Sequence, residues 1–163
     1  MDAQNFRDIM RHQAGAVALI CTGKTGARFG LTATAVCSLT DDPPMILVCV
    51  NQTASAHDTI AATGEFSVNL LSDQHTELAG IFAGQTDLNG EARFKIKGYR
   101  WLKHKSGTPR LKEAIASLDC AVTDQQVFSS HSIFIGDVRE GSFSAEATPL
   151  IYCRGSFSSL AAS

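Results

Sequence analysis

The signatures of the commonest nucleotide-binding and hydrolytic enzymes are missing from this 163-residue chain. It has no GxGxxG or Walker pattern, so any nucleotide must be held outside the Rossmann and P-loop schemes. It also has no GxSxG, no HExxH and no carboxylate pair placed for acid/base work, so no catalytic side chain is assigned. No His/Cys spacing suggests a metal. Lys and Arg number 14 against 16 Asp and Glu and form no basic run, which argues against nucleic acid or an acidic membrane surface as partner. No apolar run approaches membrane-spanning length, and MDAQNFRDIMRHQ lacks the apolar core and cleavage site of a signal peptide. The five cysteines, at 21, 37, 49, 120 and 153, form an odd set without a CxxC pair. They read as reduced core thiols in a cytoplasmic protein.

What is present concentrates between Gly30 and His57, GLTATAVCSLTDDPPMILVCVNQTASAH. Strict alternation puts Leu31, Ala33, Ala35 and Cys37 on one side of an extended chain and Thr32, Thr34, Val36 and Ser38 on the other. Small and hydroxylic side chains let backbone approach a flat ligand, which suggests the floor for a planar cofactor. Asp41-Asp42-Pro43-Pro44 turns the chain, and Met45 to Val50 reads as a strand buried on both faces. Ser55 and Asp58 resemble a capping box opening a helix that stops at Gly64, and free N–H groups there with the Thr53 and Ser55 hydroxyls make a phosphate seat. An ordinary serine cap without a ligand is the competing reading.

Residues 2 to about 13 read as an amphipathic helix packed on the body, with Phe6, Ile9 and Met10 inward and Arg7 and Arg11 outward. Ala16 to Cys21, a turn at residues 23–26 and a return from Arg28 make a hairpin. Phe66 to Leu71 is a further strand, and Ser72 caps a helix ending near Phe82. Residues 84–108 form a long loop with a short strand near Trp101, and Pro109 opens a third helix. Three strands then follow at 120–128, 132–140 and 150–154. About seven strands with three short helices predict a single domain over 1–163, mainly β with attached helices, built as an antiparallel barrel.

The chain resembles the short-chain flavin reductases, the FMN-binding split-barrel reductases that partner two-component monooxygenases. The likeness lies in TATAVCSLTDDPPMILVCVNQTASAHDTI, Phe82-Ala83-Gly84, HSIFIGDV at 131–138 and PLIYCRGSF at 149–157, in the family's order. The resemblance implies that Thr32, Ala33, Thr34, Ala35, Val36, Cys37 and Ser38 line the flavin ring and ribityl chain. It implies that Asn51, Thr53 and Ser55, with His57 beside them, hold the flavin phosphate, and that Phe82, Ala83 and Gly84 close over the flavin; simple core packing of Phe82 stays open. His131 would be a nicotinamide-side contact, although Ser129-Ser130 precede it where the family pattern carries Gly or Asp. Tyr152 and Arg154 would share a strand face at the cofactor mouth, Arg154 reaching a phosphate.

The implied activity is hydride transfer from NADH or NADPH to FMN, or to FAD, by a homodimer that supplies reduced flavin to a monooxygenase. Two other readings fit the same residues. One is a reductase that keeps its FMN and reduces another acceptor, such as a corrin cobalt or ferric complex; the other is a non-catalytic flavin-binding protein.

Overall fold

The computed structural model describes residues 1–144 and 146–160. After α1 (Ala3–Met10) and the short β1 (Gly15–Ala16), the chain forms β2 (Ala18–Thr22), β3 (Phe29–Ala33), β4 (Val36–Asp41), β5 (Pro44–Asn51), α2 (His57–Thr63) and β6 (Glu65–Leu70). Then come α3 (Thr76–Phe82), β7 (Trp101–Lys103), β8 (Pro109–Leu111), β9 (Ala116–Phe128), β10 (His131–Phe143), β11 (Leu150–Cys153) and β12 (Ser156–Ser159). Seven strands make one antiparallel sheet in the order β3-β2-β6-β9-β10-β5-β4. The mainly β split barrel expected from the sequence is the fold observed.

The two edge strands of this sheet, β3 and β4, are consecutive in the chain and separated only by Thr34 and Ala35. Phe29–Ala33 pairs with β2, whereas Val36–Asp41 pairs with β5. One extended segment therefore serves both edges and curls the sheet on itself. The uninterrupted alternation expected from 31 to 38 is broken here, because the segment changes hydrogen-bonding partner at Thr34-Ala35.

Two apolar clusters hold the body together. Strand β2 is buried along its whole length and feeds both, as period-two geometry dictates. Ala18 and Ile20 join Val48, Val50, Ile60, Phe66 and Phe134, while Val17, Leu19 and Cys21 join Leu71, Leu78, Phe82 and Phe94 on the other face. Each such large side chain stabilises by about 1.5–3 kcal/mol. Strand β5 is buried on one face only: Ile46, Val48 and Val50 point inward, and Met45, Leu47 and Cys49 remain partly exposed. The expectation of burial on both faces is corrected, since no element among the described residues covers that second face. The cysteines divide similarly. Cys21 and Cys120 are buried, Cys49 and Cys153 intermediate and Cys37 exposed, all unpaired. Burial pushes the Cys120 thiol up to about 12.

Helix boundaries depart from the sequence pattern in three places. Helix α2 starts at His57 after Ala56, with no side-chain cap from Ser55, and stops at Gly64 in the left-handed region (φ 67°). Residues 109–111 form strand β8 rather than a third helix, paired with β7, because Pro109 and Leu111 are drawn into the core. Helix α1 buries none of its residues; Phe6, Ile9 and Met10 remain exposed instead of packing on the body. Helix α1 is capped by Asp2, whose carboxylate accepts from the Asn5 N–H at 2.9 Å.

Ser72 begins a 3-10 turn (Asp73–His75) that leads into α3, and the Ser72 N–H donates to His75 Nδ1 at 3.0 Å. That bond requires a neutral ring, and burial holds the His75 pKa below its ordinary value. The folded state thus binds fewer protons than the unfolded one, so this stabilisation is complete above about pH 6.5 and declines as pH falls below it, at up to about 1.4 kcal/mol per pH unit. His75→Gln, which keeps an acceptor but cannot titrate, is expected to show a shallower loss of urea midpoint between pH 7 and 5 than the parent. Parallel slopes would assign the acid sensitivity elsewhere.

The long connection after α3 contains a 3-10 segment, Gly90–Lys95, that the sequence pattern does not announce. It is tied to the start of β3 by Arg28 and Glu91: the Arg28 Nε and backbone N–H donate to the Glu91 carboxylate at 3.0 and 3.1 Å. These bonds hold the Glu91 carboxyl at about 2. Arg28 also lies over the Phe94 ring, 4.7 Å from its centre.

Candidate nucleotide site

The break at Thr34-Ala35 opens on two adjoining cavities. One, of about 200 Å³, is lined by Val17, Thr32, Ala33, Thr34, Ala83 and Tyr152 among others. The second, of about 450 Å³, lies between α1 and the break and shares Thr34 and Tyr152 with the first. At the break the backbone leaves the β2 ladder and has not yet joined that of β5, apart from the Cys49 N–H donated to the Ala35 carbonyl at 3.0 Å.

Within this region the expected residues take different positions. The Thr32 hydroxyl donates to the Ala79 carbonyl at 2.7 Å and so anchors α3 to β3. Ala33 is buried, Val36 partly so, and Thr34, Ala35, Cys37 and Ser38 are exposed. Phe82 is core: its ring meets Phe94 and Trp101 at 5.1 and 5.8 Å and covers Gly30, where a Cβ would come within 2.8 Å of it. What it presents outward is the Ala83-Gly84 turn, with Gly84 at φ 80°. Tyr152 stacks edge-on against Phe157 at 5.4 Å. Arg154 does not continue the β11 face; with Gly155 it forms a two-residue hairpin turn, both at positive φ, as a type I′ turn requires. Its N–H donates to the Arg11 carbonyl at 2.7 Å.

The second group gathers at the end of β5. Asn51 Oδ1 accepts from both the N–H and the hydroxyl of Thr53 at 2.9 Å, closing a turn that leaves the Ser55 side chain exposed and without a hydrogen-bond partner among the described residues. His131 stands directly across from Asn51 in the β10–β5 register, and the loop is pinned to the β9–β10 turn by the Gln52 N–H on the Ser130 carbonyl at 2.9 Å. The phosphate-seat motif and the HSIFIGDV motif, 80 residues apart, are thus cross-strand neighbours. His57 is turned inward: Nε2 lies 2.8 Å from Ser132 Oγ, Nδ1 lies 2.9 Å from Asp58 Oδ1, and its ring meets the edge of Phe134. Both nitrogens are engaged within the fold.

Two contributions escape sequence reasoning. Arg93, in the long connection, donates to the carbonyls of Leu88 (2.8 Å), Gly30 (3.3 Å) and Phe82 (3.5 Å), clamping the Phe82–Gly84 turn to β3. Only its position as one arginine within an irregular stretch hints at this. His104, which the sequence leaves without context, is buried with Nε2 2.9 Å from Ser117 Oγ and Nδ1 3.1 Å from Glu140. Asp119 lies close by, but its oxygens accept from the Ser106 and Thr108 hydroxyls, so the cluster is a closed polar network under β7 and β8.

With this geometry in place, the comparisons decide the family. A flavin reductase like domain matches residues 10–161. The chain belongs to that family. It is 37% identical over 152 residues to an FMN reductase (NADH) RutF of Methylorubrum populi, covering 93% of this chain and 73% of that protein. It is 34% identical over 154 residues to the 4-hydroxyphenylacetate 3-monooxygenase reductase component of Pseudomonas aeruginosa, covering 94% and 89%. Among solved structures, the NADH:FAD oxidoreductase SgcE6 of Streptomyces globisporus C-1027, in complex with NAD and FAD fragments, superposes with a TM-score of 0.88 at 25% identity, covering 98% and 93%. Within the described residues no helix is long and apolar enough to cross a membrane.

Proposed function

We propose that this chain is an NADH-dependent flavin reductase that accepts FMN, or FAD, and supplies the reduced flavin to a partner monooxygenase. The observation that carries this reading is the released backbone at Thr34-Ala35, opening on two joined cavities in a chain of the flavin reductase-like family. Bound flavin supplies the hydride-accepting ring, so the transfer itself needs no protein nucleophile. The chain's own contribution is placement. Thr34, Ala35 and the Ala83-Gly84 turn offer small side chains that allow close backbone approach, and the exposed Ser55 hydroxyl with the Asn51 amide N–H groups offers donors to a phosphate, the Thr53 donors being spent on Asn51 Oδ1. Exposed His131, directly across from Asn51, is the residue this reading assigns to the nicotinamide. Relatives named as an FMN reductase using NADH and as a monooxygenase reductase component support the choice of substrates and partner.

Residues 1–163 act in this reading as a single domain, in the cytoplasm, where the five unpaired thiols stay reduced. The active species is a homodimer. Val127 and Phe128 at the tip of the β9–β10 arm, Phe143, and the uncovered Met45-Leu47-Cys49 face of β5 leave apolar surface for a second copy. The test is one preparation measured three ways: FMN titration, NADH oxidation with and without added FMN, and light scattering. Flavin-dependent NADH oxidation by a species of twice 17.4 kDa is expected. No flavin-dependent oxidation would overturn the enzymatic reading, a monomer would overturn the dimer, and turnover without released reduced flavin would point to a retained cofactor with another acceptor.

A further inference from the structure

The side of α1 that lines the larger cavity carries Arg7 and, at the helix C-cap, Arg11, one helical turn apart. Like charges at i and i+4 repel on a helix surface unless something negative lies between or beside them. Little in the fold neutralises this pair. Arg7 donates to the Gln4 amide oxygen at 2.8 Å and has no carboxylate partner among the described residues. Arg11 comes only within 3.7 Å of Asp8, with both side chains more than half exposed. Across the cavity stand Thr34, Ala35 and Tyr152, the released backbone of the candidate site. The volume of about 450 Å³ suits part of a nucleotide, not a lone ion.

The geometry points to a phosphate subsite in which Arg7 and Arg11 hold the diphosphate of the nicotinamide dinucleotide against the Thr34-Ala35 break. This inference rests on the reductase reading and adds the residues that seat its second nucleotide. Two nucleotides meeting ring to ring need two phosphate seats, and the loop at Asn51–Ser55 provides one for the flavin. A diphosphate carries two charges, and two guanidiniums one turn apart offer paired, fork-shaped donors to match them.

The experiment uses ADP-ribose, which carries the diphosphate without a redox ring, in calorimetric titrations of the parent, R7Q/R11Q and R7E/R11E. It is paired with NADH KM at saturating FMN, and with FMN and riboflavin titrations read by quenching of Trp101, the chain's single tryptophan. None of the α1 residues is buried, so the variants keep the core, and an unchanged urea midpoint verifies it. ADP-ribose affinity is expected to fall about tenfold in R7Q/R11Q and further in R7E/R11E, with NADH KM rising in step and both flavins binding within about twofold of the parent. ADP-ribose binding that is absent in the parent, or unchanged in both variants, overturns the subsite even if NADH oxidation persists. Selective loss of FMN over riboflavin overturns it by assigning the arginines to the flavin phosphate. Parent protein that binds ADP-ribose through these arginines yet oxidises no NADH with any flavin supports the subsite and overturns the reductase reading instead.

Discussion

Ser55→Glu is expected to raise the dissociation constant for FMN about 100-fold while leaving riboflavin within about twofold, because only FMN carries the phosphate. Loss of a donor to a charged group is worth about 1.5–3 kcal/mol, and a carboxylate beside the phosphate adds repulsion on the order of 1 kcal/mol at solvent-exposed range. Together these correspond to roughly two decades in affinity. Folding stability should hardly move, since Ser55 is exposed and caps nothing in α2. Flavin fluorescence titrations with both ligands make the measurement. Equal weakening of FMN and riboflavin would indicate distortion of the Asn51–Thr53 turn, and unchanged FMN affinity would place the phosphate away from this loop.

Glu91→Ala is expected to destabilise the fold by about 2–3 kcal/mol, lowering Tm by about 5–10 °C. The Arg28 side chain is 12% exposed and that of Glu91 18%, so removing the acid leaves a largely buried guanidinium without its counter-charge. The loss falls at or below the bottom of the roughly 3–5 kcal/mol range for a fully buried broken pair because water reaches both groups. The double variant R28M/E91L, which removes both charges and keeps apolar volume over Phe94, should recover part of the loss. The pH behaviour follows from the carboxyl held at about 2: the pair's stabilisation is complete above the unfolded value near 4.5 and is lost only as pH falls from there through about 2. A single variant as stable as the parent, or a double variant less stable than the single, would contradict this assignment.

The sequence made the strands legible wherever the local pattern agreed with what the sheet needs. The residues 16–33 hairpin, the Asp42-Pro43 turn and the strand after it, the Gly64 stop and the Ser72 start are all set by neighbours within a few residues. The failures have longer-range causes. Leu111, Ala114, Ile115 and Leu118 have helical spacing, but the partners that draw this stretch into β8 and β9 lie at Trp101–Lys103 and in β6 and β10. Phe6, Ile9 and Met10 form an apolar stripe that this chain does not bury. In the candidate site, the hydroxyl and amide groups of 51–55 were visible as a polar cluster before a helix, whereas the pairing of Asn51 with His131 depends on a register that no local pattern encodes. Arg93 and Arg28 act through contacts 63 residues away in sequence, where side-chain type alone says nothing of the partner.

The passage of one segment from the β2 ladder to the β5 ladder also separates rigidity from recognition. Strands on either side of Thr34-Ala35 are locked by ladders of cross-strand bonds, whereas the two-residue joint is tied to β5 by the Cys49 N–H on the Ala35 carbonyl. The joint is a place where substitutions can widen or narrow the two adjoining cavities while the barrel stays shut. Cutting the chain there has the opposite effect: a circular permutant with termini at 34 and 35 would remove the covalent link between the two edge strands, leaving each held by its own ladder alone and freer to pair with another copy.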